Sequence, residues 1–143
     1  GNDAQRSYAI TSGLLLIGSF IAPEMRAGAA FETASVPRFI ANATIDDYGR
    51  MMTGTVDLQP TLNRIESGQL LNQYKRDGAT FFNDEGLLPN QNGGYYTEYV
   101  HPTAGIDNRQ GPQRLVTGKG GELYYTPNHY KSFIKLKGAN KTP

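Results

Sequence analysis

Four side chains in the second half of the sequence could together cleave a phosphodiester bond. Glu98 is a possible base and His129 a possible acid, and two cations could hold a phosphate, Arg109 and Arg114. RNA cleavage needs this set, because a base takes the proton of the 2′-hydroxyl, an acid protonates the leaving 5′-oxygen, and cations balance the charge on phosphorus. The nucleophile belongs to the RNA, so this chemistry requires no metal. These residue types are common, however, and their order alone identifies no activity.

The composition removes several other kinds of site. The 143-residue chain contains no cysteine, which excludes disulfides, thiolate zinc sites and a cysteine nucleophile, and its histidines are His101 and His129. We therefore expect no metal and no cofactor. Residues 1–60 carry four basic and six acidic side chains, a balance of −2, whereas residues 61–143 carry ten and seven, a balance of +3. This surplus is weakly consistent with an anionic ligand.

The first part of the chain differs in character from the rest. Residues 5–40 are rich in Ala, Gly and aliphatic side chains, and they predict two or three helical pieces interrupted at Pro23 and Pro37. The apolar run at residues 14–22 is too short for a membrane span of ~20 residues, so we expect no stable span. A buried helix is our interpretation of this run, with a signal-peptide core or a membrane-interacting role as alternatives.

A domain boundary is predicted after the polar stretch at residues 42–54. We assign residues 1–55 to a mainly helical or translocation-related segment and residues 56–143 to a separate domain. Asp57 can cap a short helix that accepts Pro60 in its first turn and ends at Gly68. Its apolar side chains share one face: Leu58, Leu62 and Ile65.

The remainder of the second region predicts an antiparallel sheet. Short β-branched or aromatic runs separated by turn signals occur at residues 79–82, 95–100, 114–117, 122–125 and 131–135. Residues 117–121 have the composition of a hairpin turn. Consecutive strands without intervening helices imply an α+β protein, with a short helix packed on one face of a twisted antiparallel sheet. The tyrosines of these strands are interpreted as sheet packing.

Four stretches of this region carry a more specific signal. They are residues 77–89 (DGATFFNDEGLLP), 94–99 (GYYTEY), 109–118 (RQGPQRLVTG) and 124–133 (YYTPNHYKSF). Together they resemble the small secreted bacterial guanyl-specific ribonucleases, the barnase-like family, from about Asp57 to Leu136. The resemblance implies the microbial ribonuclease fold and cleavage of single-stranded RNA 3′ to guanosine, by transphosphorylation through a 2′,3′-cyclic phosphate.

The resemblance also implies roles for the four residues considered first. Glu98 corresponds to the family's general base and His129 to its general acid. The family's phosphate-clamping arginines fall on Arg109 and Arg114, whose planar guanidinium groups can make paired hydrogen bonds to phosphate oxygens. Gln110 looks like an extra residue in the loop that carries Arg109. We interpret Asp77 as a structural carboxylate and His101 as an ordinary loop histidine.

Guanine recognition is assigned by the resemblance to one loop and two aromatic side chains. Backbone amides of the loop would bind O6 of guanine, and Glu85 would accept hydrogen bonds from N1 and the amino group. The loop residues are Phe82, Asn83, Asp84 and Glu85. Phe81 and Tyr130 match the rings between which the base stacks, an interaction of roughly 1–3 kcal/mol per base. Asp84 departs from the family pattern, which commonly has Arg there.

Two interpretations of the biological role stay open. The chain could be a non-enzymatic binding or structural module that keeps the fold, although the intact Glu98, Arg114 and His129 argue against this. Alternatively, residues 1–55 before the ribonuclease-like region resemble the arrangement in C-terminal toxin regions of polymorphic or contact-dependent growth-inhibition toxins. The ribonuclease resemblance implies single-stranded RNA and not DNA as substrate, and the toxin interpretation implies in addition an acidic immunity protein that blocks the active site. It also implies secretion or cell-surface delivery, with action in the target-cell cytoplasm.

Overall fold

The computed structural model describes residue 33 and residues 36–139 of the chain, so the predicted helical pieces before residue 33 and the apolar run lie outside the described residues. The elements are β1 (Phe39–Asp47), β2 (Arg50–Asp57), α1 (Gln59–Ser67), β3 (Ala79–Phe81), β4 (Tyr96–Val100), β5 (Arg114–Gly118), β6 (Leu123–Thr126) and β7 (Ile134–Lys137). One antiparallel sheet contains β1 and β2, and the other has the order β3-β4-β5-β6-β7. The predicted α+β fold class is confirmed.

The short helix forms at the predicted place, but its N-cap is Leu58 and not the predicted Asp57, and no side chain makes the cap hydrogen bond. The Asp57 carboxylate accepts a hydrogen bond of 3.0 Å from the backbone N–H of Gln59, and proline is tolerated in the first turn because its missing N–H would have no partner there. Gly68 ends the helix with a φ of 76°, which suits glycine. The predicted apolar face is buried, at 0, 2 and 7 % exposure for Leu58, Leu62 and Ile65. In the described part, no helix is long and apolar enough to span a membrane.

The five-stranded sheet contains the core next to which the site is built. Leu88, Tyr96, Val116 and Tyr124 form a buried cluster, against which Phe81, Tyr95 and Phe133 pack. Along β4 the side chains alternate, so that Tyr96, Glu98 and Val100 are buried while the residues between them are half-buried. Glu98 is paired across the sheet with Val116 of the core cluster. An ionisable side chain is therefore held beside an apolar core.

The turn between β5 and β6 confirms the predicted hairpin, and its glycines have different surroundings. Gly121 has a positive φ of 95°. A Cβ on Gly118 would lie 2.5 Å from Oε1 of Glu122, and a Cβ on Gly120 would lie 2.8 Å from the Tyr95 hydroxyl. A side chain at either position would therefore have to displace the end of the Glu122 or Tyr95 side chain.

The polar stretch at residues 42–54, which we placed before the predicted domain boundary, lies in a β-hairpin. Residues 39–57 form the β1–β2 hairpin, so the helical assignment of residues 39–55 is wrong. Tyr48 and Gly49 make the two-residue turn with φ values of 53° and 92°, as in the turns that match the twist of a hairpin. Residues 39–137 belong to one compact unit. The hairpin is therefore part of the same unit as the five-stranded sheet, although most of it lies before the predicted domain boundary.

Candidate active site

A cavity is formed where the loop after β3, the strand β4 and the loop before β7 meet. Eight residues that the sequence analysis assigned to the site line it: Phe81, Phe82, Asn83, Asp84, Glu85, Glu98, His129 and Tyr130. Arg76, Leu87 and Phe133 complete the lining. Three of the four sequence stretches, at residues 77–89, 94–99 and 124–133, are thus brought together at the cavity. Arg109 and Arg114, of the fourth stretch, are not among the lining residues. In the described part of the chain, no three or more His, Asp or Glu side chains are placed so that they could hold a metal ion together.

Glu98 is the most buried acidic group of the cavity, with 1 % exposure. Its Oε2 accepts hydrogen bonds from Arg76, at 2.6 Å from Nη2 and 3.2 Å from Nε. Its Oε1 accepts a hydrogen bond from the Tyr130 hydroxyl and lies 3.5 Å from Nε of Arg114. A buried carboxylate needs such partners, since an uncompensated charge beside an apolar core is strongly destabilising.

Tyr130 connects Glu98 to Arg114. Its hydroxyl donates to Glu98 and accepts a hydrogen bond of 3.1 Å from Nε of Arg114. Burial, with a further contribution from the bond to Glu98, raises the pKa of Tyr130 to about 12. The hydroxyl therefore stays protonated at neutral pH and can donate. Nη1 of Arg114 is engaged by two backbone carbonyls, those of Gly111 and Gln113.

His129 lies in a tight turn and contacts the β1–β2 hairpin. Its φ is 55°, and its N–H donates to the carbonyl of Pro112 at 2.9 Å, which fixes the turn next to β5. The ring stacks on Tyr48, with centroids 4.1 Å apart, and its Nε2 is 3.1 Å from Oδ1 of Asp47. Because a carboxylate can only accept, Nε2 carries the proton in this contact. The ring also borders the cavity, so His129 contacts the hairpin and lines the cavity at the same time.

Arg109 is held by the same hairpin and not by Glu98. Its Nη1 and Nη2 donate to the two oxygens of Asp47, the first at 2.9 Å. These bonds hold the pKa of Asp47 well below its usual range. Arg109 and Arg114, which we predicted to hold a phosphate, therefore have different protein partners in the structure. The physical reason is that Asp47, which ends β1, offers Arg109 a bidentate partner.

The loop at residues 82–85 has free backbone donors. The Asn83 side chain turns back on the loop, donating to the carbonyl of Leu88 at 2.8 Å and accepting from its N–H at 3.1 Å. The N–H groups of Asn83, Asp84 and Glu85 have no protein acceptor among the described residues. Glu85 is exposed and has no ion-pair partner there. The loop can therefore offer both N–H donors and a carboxylate to a ligand.

The aromatic residues are not arranged as the sequence analysis expected. Phe81 and Tyr130 stack directly on each other, with centroids 5.3 Å apart and ring planes at 22°. A base between them would need roughly 7 Å, twice the ~3.5 Å contact distance of carbon atoms. The expected sandwich is thus absent, because Glu98 and Arg114 hold the Tyr130 ring beside Phe81. Phe82, 68 % exposed, is a further ring at the cavity.

Sequence reasoning missed three residues of this site. Arg76 immediately precedes the first motif block and could have been noted as a basic residue beside it. Asp47 and Tyr48 lie in the stretch taken as a polar connection, and no local pattern links them to His129. Their contacts with it join residues more than eighty positions apart in the chain.

Two other polar residues are structural. His101 is buried at 6 % exposure, with Nδ1 2.7 Å from the Thr61 hydroxyl of α1, and burial lowers its pKa to about 4. It is therefore a packed residue beneath the helix rather than an ordinary loop histidine. Asp77 accepts hydrogen bonds from Arg64 and from the N–H groups of Leu71 and Val100. This agrees with its predicted structural role.

Comparison with known proteins identifies the family. A family model described as ribonuclease matches residues 53–137. Guanyl-specific ribonuclease St of Saccharopolyspora erythraea is 50 % identical over 92 residues, which cover 62 % of this chain and 89 % of that protein. Guanyl-specific ribonuclease Sa3 of Kitasatospora aureofaciens is 39 % identical over 97 residues, which cover 66 % of this chain and 67 % of that protein.

Solved structures agree with these sequence relatives. A structure of ribonuclease Sa2 in complexes with mononucleotides has a TM-score of 0.51 and 40 % identity, over 56 % of this chain and 81 % of that chain. The region matched by the family model begins inside β2, so β1 and the turn with Asp47 and Tyr48 precede it. Since the match covers more than half of the sequence and includes the cavity residues, the chain belongs to the microbial guanyl-specific ribonuclease family.

Proposed function

We propose that this chain is a guanyl-specific endoribonuclease that cleaves single-stranded RNA without a metal. The observation that carries the proposal is the cavity itself. It places the buried carboxylate of Glu98, the imidazole of His129 and the open amides of residues 82–85 around one space. A base, an acid and a recognition loop are thus available to one bound nucleotide. Membership in a family of guanyl-specific ribonucleases supports the same assignment.

In the proposed reaction, Glu98 takes the proton of the 2′-hydroxyl as its oxygen attacks phosphorus. The bond from phosphorus to the 5′-oxygen breaks, and His129 gives a proton to that leaving oxygen. The products are a 2′,3′-cyclic phosphate and a free 5′-hydroxyl. Each carboxylate oxygen can accept two hydrogen bonds, so Glu98 retains room for a proton beside its contacts with Arg76 and Tyr130. Such proton transfers contribute about 10²–10⁴-fold each.

Guanine recognition is proposed for the loop at residues 82–85. Its unpaired N–H groups can donate to O6 of guanine, and the exposed Glu85 carboxylate can accept from N1 and the amino group. Adenine presents an amino group in place of O6 and has no proton on N1, so it would lose both interactions. The base would stack on an outer face of the Phe81–Tyr130 pair or on Phe82 rather than between the two stacked rings.

The experiment is cleavage of the dinucleotides GpU and ApU by the whole chain in the presence of a chelator. We expect much faster cleavage of GpU, with guanosine 2′,3′-cyclic phosphate as the first product. Activity that requires an added divalent ion would overturn the metal-independent mechanism. Binding of a guanine nucleotide without any cleavage would instead favour the non-enzymatic module that keeps the ribonuclease fold.

We also propose that this ribonuclease acts as an antibacterial toxin after secretion or cell-surface delivery. The support is that the chain carries residues 1–52 ahead of the region matched by the ribonuclease family. An acidic immunity protein could block the cavity by placing a carboxylate against its exposed cation. That cation would be Arg76, since its side chain is 40 % exposed and lines the cavity, whereas Arg109 does not line it. The test is to express the chain in a bacterium with and without the gene directly downstream of its own, where the immunity protein would be encoded. Harmless expression of the active enzyme alone would refute the toxin role.

A further inference from the structure

Arg76 is the one Arg or Lys side chain among the described residues that lines the cavity. Its side chain is 40 % exposed, whereas that of Arg114 is 5 % exposed and lies behind Tyr130. Arg109 is exposed but bound to Asp47 outside the cavity lining. A phosphate that enters beside Glu98 therefore meets the guanidinium of Arg76 before either arginine that the sequence analysis named.

The guanidinium of Arg76 has donors to spare. Nη2 donates to the carbonyl of Thr80 at 2.7 Å and to Glu98 at 2.6 Å, and Nε donates to Glu98 at 3.2 Å. Nη1 has no acceptor among the described residues. Arginine presents its donors in a planar fork, so one edge can stay on Glu98 while the other faces a phosphate oxygen.

The position of Arg76 is fixed by its neighbours. Its backbone N–H donates to Oε1 of Gln110 at 2.8 Å, and its carbonyl accepts from the N–H of Ala79 at 3.2 Å. The next residue, Asp77, is buried and anchors the loop through Arg64 and the backbone. Gln110, which looked like an extra residue in the sequence, thus supports the loop that carries Arg76. A donor held in this way loses little entropy when a phosphate binds.

We propose that Arg76 is a phosphate-binding catalytic residue, and that it takes the place at the reacting phosphate that the sequence assigned to Arg109. This inference rests on the proposed ribonuclease function. As the 2′-oxygen attacks, its proton moves to Glu98 and negative charge moves to the oxygens on phosphorus. Glu98 then holds Arg76 less strongly, while the phosphate attracts it more strongly. The cation therefore stabilises the transition state more than the bound substrate, as catalysis requires.

The cavity charge makes such a cation necessary. Asp84 and Glu85 both line the cavity, beside the ion-paired Glu98. Asp84 adds a negative charge where the resemblance led us to expect a positive one. Without Arg76, the incoming phosphate would face these acidic side chains with no Arg or Lys on the described cavity wall.

The test compares binding of guanosine and guanosine 3′-monophosphate by titration calorimetry. We expect the wild-type chain to bind the nucleotide more tightly, and Arg76→Ala to weaken nucleotide binding by between about ten- and a hundredfold, as for a lost bond to a charged group. Guanosine binding should stay within about twofold, because the loop at residues 82–85 is untouched. Arg76→Lys should retain part of the phosphate effect, since it keeps the charge but not the fork.

Arg109→Ala is the decisive comparison, and Arg38→Ala is the matched control. Arg38 forms an exposed arginine–carboxylate pair with Asp57 and does not line the cavity. Loss of phosphate affinity in Arg109→Ala but not in Arg76→Ala would overturn the proposal, as would equal losses of guanosine and nucleotide binding in folded Arg76→Ala and Arg76→Lys. If the wild-type chain bound both ligands equally, the proposed ribonuclease function would fail together with the role of Arg76.

Discussion

Two arginine–carboxylate pairs near the cavity have almost the same exposure but different surroundings. The Arg76–Glu98 side chains are 40 and 2 % exposed, and the Arg109–Asp47 side chains are 46 and 2 % exposed. Glu98 lies in the interior strand β4, beside Tyr130 and near the loop at residues 82–85. Asp47 ends the hairpin strand β1, and both of its oxygens are occupied by Arg109. Burial alone therefore does not show which of the two carboxylates could act on a substrate.

The difference lies in what each carboxylate can still do. Glu98 faces a cavity that can admit a hydroxyl group. Asp47 is bound by Arg109 and His129, and Arg109 holds its pKa well below the usual range, so it stays ionised and is a poor base. We infer that Glu98 exchanges protons with substrate, whereas Asp47 fixes the hairpin against His129. The predictions below separate these two roles.

The largest effect is expected from His129→Gln. This change removes the proton donor for the leaving oxygen, so the initial rate of GpU cleavage should fall by about 10²–10⁴-fold. Circular dichroism should show an unchanged fold, because the backbone turn and its bond to Pro112 do not depend on the ring. A folded variant with near-normal turnover would contradict the assignment of His129 as the acid.

The next effect concerns base specificity. Glu85→Ala should reduce the ratio of kcat/KM for GpU over ApU, because it removes the acceptor for N1 and the amino group of guanine. Asp84→Ala is the matched control, since Asp84 is a neighbouring exposed carboxylate of the same loop. Asp84→Ala should change kcat/KM for GpU and for ApU by the same factor, so that their ratio stays unchanged. Equal losses on both substrates in Glu85→Ala would instead indicate a structural role.

A smaller, opposite effect is expected from Asp47→Asn. The Asp47 carboxylate accepts hydrogen bonds from Nε2 of His129 and from the guanidinium of Arg109. It therefore competes with any phosphate or leaving oxygen for these donors. Neutralising it should raise kcat/KM for GpU severalfold. Asp46→Asn, in the same hairpin but not bonded to His129, should have no such effect. A loss in Asp47→Asn comparable with that of His129→Gln would show that Asp47 positions the acid for catalysis.

The last prediction concerns stability and not activity. His101 is neutral in the fold, with a pKa lowered from 6.5 to about 4 by burial. The unfolded chain therefore binds a proton first as the pH falls, and stability present above pH ~6.5 should decrease by about 3 kcal/mol toward pH 4. Urea unfolding at several pH values should show this loss, and His101→Asn should remove most of it. A loss confined to lower pH would instead point to Asp57, whose pKa Arg38 lowers to about 2, or to Asp47, whose pKa Arg109 lowers well below its usual range.

Local sequence patterns predicted the parts of the site that depend on neighbouring residues. The strand of Glu98 and the helix stop at Gly68 each follow from a few consecutive side chains and turn signals, whereas the loop at residues 82–85 is assigned by the family resemblance. The partners of the charged groups do not. Arg76 contacts Glu98 across 22 positions, and Arg109 contacts Asp47 across 62. Such pairings depend on how the hairpin and loops pack, which periodicity does not encode.

The most direct test of the central claim is the rate of GpU cleavage by Glu98→Gln. Glutamine keeps the shape, and its amide oxygen can still accept hydrogen bonds from Arg76 while the Tyr130 hydroxyl turns to accept from its amide N–H, but it cannot take the proton of the 2′-hydroxyl. With a chelator present, we expect wild-type cleavage through the cyclic phosphate. The variant should be slower by about 10²–10⁴-fold while binding guanosine normally. A folded Glu98→Gln protein that cleaves GpU at the wild-type rate would contradict Glu98 as the base.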